Sequence, residues 1–289
     1  LSEEKISGGI DLVNPNFNFT GNSVFTSFNV SSIDKKENSG YESSKTGFAL
    51  GTEFEQYENV FLSPSISAIY EDIEVQSTAS SQIKKMDGTF YNLDAAYGIV
   101  WDKRNQPFQP TSGYRAKFNQ ALPIIQDSSS IMNGFAISKY HSFSEDLVGS
   151  VKFYGRSIHG IDEDVRLTRR LFLPAKRLRG FQTTKVGPKD GVDYIGGNYT
   201  TALGFEAKLP NLLPESYRTD IAIFLDSGNV WGVDYSDVVD DTNIIRSAFG
   251  ISANTFTTIG PLSFTLAQDI SSASTDEPQK FNFRLGTSF

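Results

Sequence analysis

The 289-residue sequence contains no cysteine, two tryptophans and only two histidines, His141 and His159. The absence of cysteine excludes disulfides, thiolate metal sites and cysteine nucleophiles. With so few histidines, zinc sites and catalytic triads, which commonly use imidazole, are nearly excluded as well. No apolar run approaches the roughly 18 residues that a membrane-spanning helix needs. These absences leave little material for catalysis and predict no transmembrane helix.

Basic residues are in the minority, because 26 Lys and Arg stand against 34 Asp and Glu, for a formal net charge of −8. An acidic balance of this size argues against a nucleic-acid partner. Apolar material is nevertheless plentiful, since the chain contains 23 Phe and 12 Tyr. This composition argues against a disordered acidic chain and indicates a β-rich protein that is not obviously enzymatic.

The sequence starts at Leu1 and carries three charges within its first five residues, at Glu3, Glu4 and Lys5. A signal peptide would instead have a basic start followed by an apolar stretch. On composition alone two interpretations stay open, namely a processed mature chain and a fragment that lacks upstream sequence.

Apolar and polar residues alternate along most of the chain, whereas helical spacing is hard to find. Leu203 and Phe205, for example, share one face of a segment, and Glu206 lies on the other. The alternation is clearest in residues 91–102, 114–122, 147–156, 203–209 and 281–289. Each segment has about ten residues, the length that a tilted strand needs to cross a bilayer. We expect the apolar faces to point outward and the charged faces inward.

The connections between these segments alternate between short turns and long polar loops. Short turns occupy residues 56–59, 105–113 and 257–260, and longer loops occupy residues 34–44, 74–87, 160–198, 233–243 and 271–279. This asymmetry is typical of an outer-membrane barrel. A soluble β-sandwich also alternates, but with shorter strands. The pattern favours an all-β fold, an antiparallel transmembrane β-barrel of the outer-membrane type.

About thirteen strands can be counted, from residues 7–15 to the terminal Phe289. Single-chain bacterial barrels have an even number of strands. The odd count therefore favours a chain that lacks upstream strands. It also predicts two unpaired sheet edges, at residues 7–15 and 281–289.

One group of motifs is more specific than the alternation. Leu178-Arg179-Gly180-Phe181 lies in the longest loop, and the segment FLDSGNVW at residues 224–231 and a terminal Phe289 follow it. In this order and spacing, the motifs resemble the C-terminal, surface-antigen-type barrel of the BamA family of outer-membrane protein assembly factors. The resemblance covers residues 1–289 and is strongest from about residue 95 to residue 289.

The resemblance implies a barrel of sixteen strands preceded by periplasmic POTRA domains. Residues 1–289 would be the C-terminal part of that one barrel, with about thirteen of its strands and no POTRA domain. It also implies a protein of the bacterial outer membrane that folds and inserts other β-barrel proteins without enzymatic catalysis or a cofactor. A translocation and assembly module protein or a two-partner secretion transporter, which share the arginine loop, is the alternative.

The partners that the resemblance implies are nascent outer-membrane proteins, accessory assembly lipoproteins, and outer-membrane lipid with lipopolysaccharide. It further implies that the loop at residues 160–198 folds back into the barrel. The functional loop residues would be Leu178, Arg179, Gly180 and Phe181. Gly180 would let the backbone turn sharply, and Phe181 would pack against the wall. Judged from the residues alone, a surface loop with a solvated arginine is the alternative.

A guanidinium inside a barrel needs an anionic partner, because an unpaired charge at reduced dielectric is costly. By strand alternation, Glu206 and Asp226 both lie on the inward face of their strands. We expect one or both carboxylates to lie within salt-bridge reach of Arg179.

The last strand is the expected gate, because the barrel would open where this strand meets the first. The gate residues are Phe281, Phe283, Gly286 and Phe289. An unpaired strand edge is a template for pairing, so an incoming strand could add to it. Gly286 has no side chain to pack, so the strand could bend there.

Two other constellations have simpler interpretations. Asp234, Asp237, Asp240 and Asp241 lack the ligand spacing of a tight calcium loop, so a solvated loop is expected and no metal site is predicted. His141 and His159 would suit a barrel-rim hydrolase with Ser142 or Ser157 as nucleophile. No nucleophile elbow or paired-acid signature accompanies them, so this hypothesis ranks below the others.

Overall fold

The computed structural model describes residues 4–285 apart from residues 80, 211, 215, 216, 235–238, 242, 258 and 259. Thirteen strands form one antiparallel sheet in which every strand pairs with its neighbours along the chain. They are Glu4–Asn14 (β1), Ser23–Lys35 (β2), Tyr41–Tyr57 (β3), Val60–Val75 (β4), Gly88–Asp102 (β5), Gly113–Gln126 (β6), Ser130–Ser142 (β7), Val148–Gly160 (β8), Tyr199–Lys208 (β11), Thr219–Trp231 (β12), Arg246–Thr257 (β14), Gly260–Ser271 (β15) and Phe281–Leu285 (β16). The predicted all-β meander is confirmed.

Three short strands form a second sheet within the long connections. They are Lys189–Asp190 (β9), Asp193–Tyr194 (β10) and Val239–Asp240 (β13). In the described ranges, helical structure is limited to Lys36–Ser39 (α1), Ser81–Lys84 (α2) and two 3₁₀ turns, Phe17–Phe19 and Leu167–Arg169. Among the residues described, no helix is long and apolar enough to cross a membrane.

The two faces of the large sheet differ as the period-two pattern requires. On β12, the inward Phe224 and Asp226 are buried, whereas the intervening Ile223 and Leu225 are 46% and 40% exposed. On β11, Phe205 is likewise 44% exposed on the outer face. The apolar residues therefore cover the outside of the sheet and the polar residues line its inside, which is the arrangement of a membrane barrel.

The sheet curves around the connection between β8 and β11. Residues of this connection contact inner-face side chains of both β4–β5 and β11–β12, which the sheet order places far apart. In the described part of the chain, β1 pairs only with β2, and β16 pairs only with β15. Both outer strands therefore present one edge without a strand partner.

One expected loop is much shorter than predicted. The sequence predicts a polar loop at residues 34–44, but β2 continues to Lys35 and β3 begins at Tyr41. Between them the one-turn helix α1 ends at Gly40, whose φ of +69° is a conformation that suits glycine. Several strands are also longer than the predicted ten residues, and β3 has 17. The polar character of these strand ends concealed their regular structure, because strands that extend beyond the apolar band no longer need apolar outer faces.

Candidate functional site

The connection between β8 and β11, residues 161–198, lies inside the curved sheet, and we call it the inner loop. It supplies most of the buried apolar residues of two hydrophobic clusters, one of which includes Leu178 and Phe181. The inner face of a barrel is otherwise polar, so these clusters form only where the loop covers the wall. The loop thus has the contacts of a packed element and not those of a solvated surface segment.

Arg179 of the inner loop lies between two carboxylates that project from the inner faces of β11 and β12. Its Nε and Nη2 donate to the two oxygens of Asp226 at 2.7 and 2.8 Å, and its Nη1 donates to Glu206 Oε2 at 2.6 Å. The Arg179 backbone N–H donates to Asp226 Oδ2 at 3.1 Å. Asp226 is 2% exposed, so its charge depends on the guanidinium for compensation. We call these three residues the Arg179 anchor.

Two further side chains complete the surroundings of the guanidinium. Its Cζ lies 3.6 Å from the centre of the Phe224 ring, within the range of a cation–π contact. Lys152 of β8 donates to the second oxygen of Glu206 at 3.0 Å. Two cations therefore face two carboxylates, and every charge in the group has a partner of opposite sign.

Gly180 follows Arg179 at a point where the loop backbone lies close against the wall. Its φ is +94°, and a Cβ atom there would lie 2.8 Å from Ala248 Cβ. Leu178 and Phe181, on either side, are both 3% exposed and pack with Ala202 and Val230 among others. The motif thus places one charged and two apolar side chains on the wall, around a backbone position that suits only glycine.

A second segment, residues 276–279 between β15 and β16, lies over the motif and is called the strap. The Gln279 N–H donates to Gly180 O at 2.8 Å, and the Gln182 N–H donates to Glu277 O at 2.9 Å. The strap is held by Arg246 and Asp276, which form a two-hydrogen-bond ion pair at 2.9 and 3.1 Å with both side chains fully buried. Sequence reasoning missed this pair, because nothing in the alternation connects a strand start with a loop thirty residues later.

The start of the inner loop is fixed at the opposite wall, by contacts that sequence reasoning also missed. Arg166 Nη2 donates to Asn92 Oδ1 at 2.6 Å, and Arg169 Nη1 lies 3.7 Å from Asp94 Oδ2. Thr168 donates to Glu71 Oε2 at 3.1 Å. We call the group formed by Arg166, Arg169, Glu71, Asn92 and Asp94 the Arg166 anchor. Its signal in the sequence is three arginines within residues 166–170 opposite inward polar residues of β4 and β5.

The expected gate strand is described in part. Phe281 and Phe283 lie on β16 and are 54% and 51% exposed on its outer face. Gly286 and Phe289 lie outside the described residues. Whether this strand is a gate stays a prediction.

The two histidines lie far from each other. In the pairing of β7 with β8, His141 is opposite Gly149 and His159 is opposite Ile131, so the histidines are at opposite ends of the hairpin. His159 shares a hydrogen bond with the Tyr199 hydroxyl, and His141 stacks edge-on against Phe143. The antiparallel register separates the two histidines by most of the strand length, so they do not belong to one site.

The acidic segment also has a structural explanation. Asp234 accepts the Val165 N–H at 2.8 Å and lies 3.7 Å from Arg170, so it fixes the inner loop. Asp237 lies outside the described residues. Within the described ranges, no group of three or more His, Asp or Glu side chains is placed to hold a metal ion.

Comparisons with known proteins agree with this architecture. Residues 1–289 match the model of the Omp85 superfamily domain. The outer membrane protein assembly factor BamA of Neorickettsia risticii is 25% identical over 263 residues, which cover 89% of this chain and 35% of that protein. The human sorting and assembly machinery component 50 homolog is 29% identical over 173 residues, 55% of this chain and 36% of that protein.

A solved structure gives the fold directly. The crystal structure of BamA from Haemophilus ducreyi lacking POTRA domains 1–3 superimposes with a TM-score of 0.85 at 20% identity, over 99% of this chain and 62% of that one. This chain spans about a third of the length of the curated BamA and component 50 relatives that it matches. Because the family model covers the whole chain, the chain belongs to the Omp85 superfamily.

Proposed function

We propose that this member of the Omp85 superfamily acts as an outer-membrane protein assembly factor. It would fold nascent β-barrel proteins and insert them into the bacterial outer membrane. The relatives named outer membrane protein assembly factor BamA support the proposal. The observation that carries it is the inner loop, which is anchored to the barrel wall through Arg179, Asp226 and Glu206.

The fold offers a physical route for assembly that needs no cofactor. A strand edge with free N–H and C=O groups is a template for another strand, and an incoming client strand gains main-chain hydrogen bonds by adding to it. β1 and β16 each have such an edge in the described residues. Among the described residues, the inner loop has no hydrogen bond to the backbone of β1 or β16, so it would keep the lumen filled near β11 and β12 while these edges exchange.

The partners follow from the same proposal. Clients would be nascent outer-membrane proteins, and accessory assembly lipoproteins and lipopolysaccharide-bearing lipid would surround the barrel. The outer face supports a lipid environment, since Phe205, Ile223 and Phe249 are all more than 40% exposed there. A translocation and assembly module protein or two-partner secretion transporter is the second candidate, because it would use the same barrel.

The test is reconstitution of the chain in liposomes with an unfolded β-barrel client. We expect client folding, followed by heat-dependent gel migration, to be faster than in empty liposomes. Arg179→Ala should remove most of the acceleration, whereas Lys139→Gln, on the outer face of β7, should keep it. Equal rates with and without the chain would overturn the proposal. Client protein released inside the liposomes instead of inserted would favour the secretion transporter.

A further inference from the structure

The lumen contains a cavity of about 750 Å³ beneath the inner loop. Its walls come from β6–β8, β11, β12 and β14–β16, and Lys176, Arg177 and Arg179 of the inner loop form its roof. We call this cavity the inner chamber. The role of the loop as an anchored element does not explain why the chamber exists or what it holds.

The chamber is strongly cationic. Eight of its lining residues are Lys or Arg, whereas only Glu206 and Asp226 are acidic. Both carboxylates already form ion pairs, since Arg179 binds both of them and Lys152 binds Glu206. The whole chain has a net charge of −8, so this excess of positive charge is local and does not follow from composition. A concave site lined by charges of one sign concentrates ligands of the opposite sign.

Two of the wall cations have neither an ion pair nor a side-chain hydrogen bond in the described part of the chain. Lys117 on β6 and Arg284 on β16 line the chamber, and neither has an ion pair or side-chain hydrogen bond there. Arg104 and Arg115, in contrast, both lie within 3.4 Å of Asp102. Lys117 and Arg284 project from strands that are seven positions apart in the sheet order, so they face the chamber from different walls.

A buried hydroxyl points to a ligand independently of the charges. Ser252 lines the chamber and is 2% exposed, and its Oγ has no hydrogen-bond partner among the described residues. A buried polar group without a partner is unfavourable, because it has lost its hydrogen bonds to water. Asn254 and Ser263 lie next to it on the same wall. The wall thus offers neutral hydrogen-bonding groups between the cations.

We propose that the inner chamber binds acidic segments of polypeptide. Carboxylates would lie against Lys117, Arg284 and the roof, and the peptide backbone would satisfy Ser252 and its polar neighbours. A lone phosphate needs several donors that converge on one point, whereas these cations are spread over two walls and a roof. That spread fits an extended chain with spaced carboxylates. The inference rests on the proposed function, since it names the client segments that an assembly factor would hold during insertion.

The test uses the 289-residue chain folded in detergent micelles and a fluorescent decapeptide of alternating Asp and Ser. Fluorescence anisotropy should show binding that salt weakens, and a peptide with Asn in place of Asp should bind at least tenfold more weakly. Lys117→Gln with Arg284→Gln should weaken binding of the acidic peptide at least tenfold, because the double variant removes two charge-assisted contacts to the peptide carboxylates. Lys139→Gln removes the same charge from the outer face of β7 and should change binding less than twofold. Heat-dependent gel migration checks that each variant is folded.

Three results would overturn the proposal. The Asp and Asn peptides would bind equally, or Lys139→Gln would weaken binding as much as the chamber variants, or only inorganic polyphosphate or anionic lipid vesicles would compete for the chamber. Client folding in liposomes separates this proposal from the proposed function. If the wild-type chain binds the peptide but folds no client, the proposed function fails and the chamber stands. If the chamber variants fold clients normally and bind the acidic peptide as the wild type does, the chamber proposal fails and the proposed function stands.

Discussion

The start and the middle of the inner loop are fixed to opposite walls by arginines, but the two arginine groups differ in how completely their charges are paired. In the Arg179 anchor, all three guanidinium nitrogens donate to carboxylates at 2.6–2.8 Å. In the Arg166 anchor, Arg166 Nε and Nη1 are buried without a partner in the described residues, and Arg169 reaches its carboxylate only at 3.7 Å. Burial lowers the pKa of Arg166, whereas the pKa of Arg179 is raised by Asp226 and Glu206 although burial acts to lower it.

This difference indicates that the Arg179 anchor stabilises the position of the loop and that the Arg166 anchor contributes little. A buried cation stabilises only when its partners compensate for the lost hydration. The Arg179 anchor meets that condition, and the strap with its Arg246–Asp276 pair covers it from above. The Arg166 anchor does not meet it. The loop is therefore expected to detach from the β4–β5 wall more easily than from the β11–β12 wall.

The largest expected effect is at Arg179. Arg179→Ala strands Asp226, which is 2% exposed, and should lower the free energy of unfolding by about 3 kcal/mol. Arg179→Lys should restore only part of this loss, because an ammonium cannot form the bidentate fork. Urea unfolding in detergent micelles, followed by tryptophan fluorescence, measures both. A loss below about 0.5 kcal/mol for the alanine variant would show that this anchor does not hold the loop.

The next effect concerns the backbone of the same anchor. Gly180→Ala forces a side chain into a φ of +94° and places its Cβ 2.8 Å from Ala248 Cβ, which should cost about 2 kcal/mol. Gly191→Ala is the matched control, because its φ is +61° but no atom lies within 4 Å of the added Cβ. The control should cost about 1 kcal/mol in the same urea titration. Equal costs at the two positions would mean that Gly180 is not pressed against the wall.

A smaller effect is expected at the edge of the Arg179 anchor. Lys152 and Glu206 form an ion pair at 3.0 Å with side chains 33% and 22% exposed. Because solvent screens such pairs, Lys152→Gln should cost about 0.5 kcal/mol, and the difference from wild type should shrink at high salt. A loss as large as that of Arg179→Ala would place the main energy of the anchor in Lys152 and not in the guanidinium.

The smallest effect is expected at the Arg166 anchor. Arg166→Met removes a poorly paired buried cation but leaves Asn92 without its 2.6 Å donor, so the two changes should nearly cancel and alter stability by less than about 0.5 kcal/mol. Protease cleavage within residues 161–198, measured on the folded barrel, reports separately on the loop. Cleavage should rise more in Arg179→Ala than in Arg166→Met, and the reverse order would contradict the comparison.

Much of the Arg179 anchor could be predicted from the sequence. Strand alternation gave the inward direction of Glu206 and Asp226, but the position of Arg179 beside them followed from the resemblance to the BamA family, because the residues alone favour a solvated loop arginine. The Arg166 anchor could not be predicted in this way, because its partners Asn92 and Glu71 differ from other inward polar residues only by the loop that covers them. The Arg246–Asp276 pair depends on a chain reversal whose geometry no local pattern encodes.

The fold was likewise predictable where periodicity decides it. The thirteen-stranded meander follows from alternating residues, since a one-residue slip would move every apolar side chain to the wrong face. The polar strand ends beyond the apolar band predict a loop at residues 34–44, but β2 continues to Lys35 and β3 begins at Tyr41. Regular pairing there is fixed by backbone hydrogen bonds and by the turn at Gly40. Neither of these changes the alternation of apolar and polar residues, so the alternation does not predict them.

The most direct test of this account is a pair of double-mutant cycles measured by urea unfolding. One cycle combines Arg179→Ala with Asp226→Ala, and the other combines Arg169→Ala with Asp94→Ala. We expect a coupling of about 2–3 kcal/mol for the first pair, whose atoms are 2.7 Å apart, and below about 0.5 kcal/mol for the second, whose atoms are 3.7 Å apart. Equal couplings, or a larger one for Arg169 and Asp94, would contradict the claim that the inner loop is held at the Arg179 anchor.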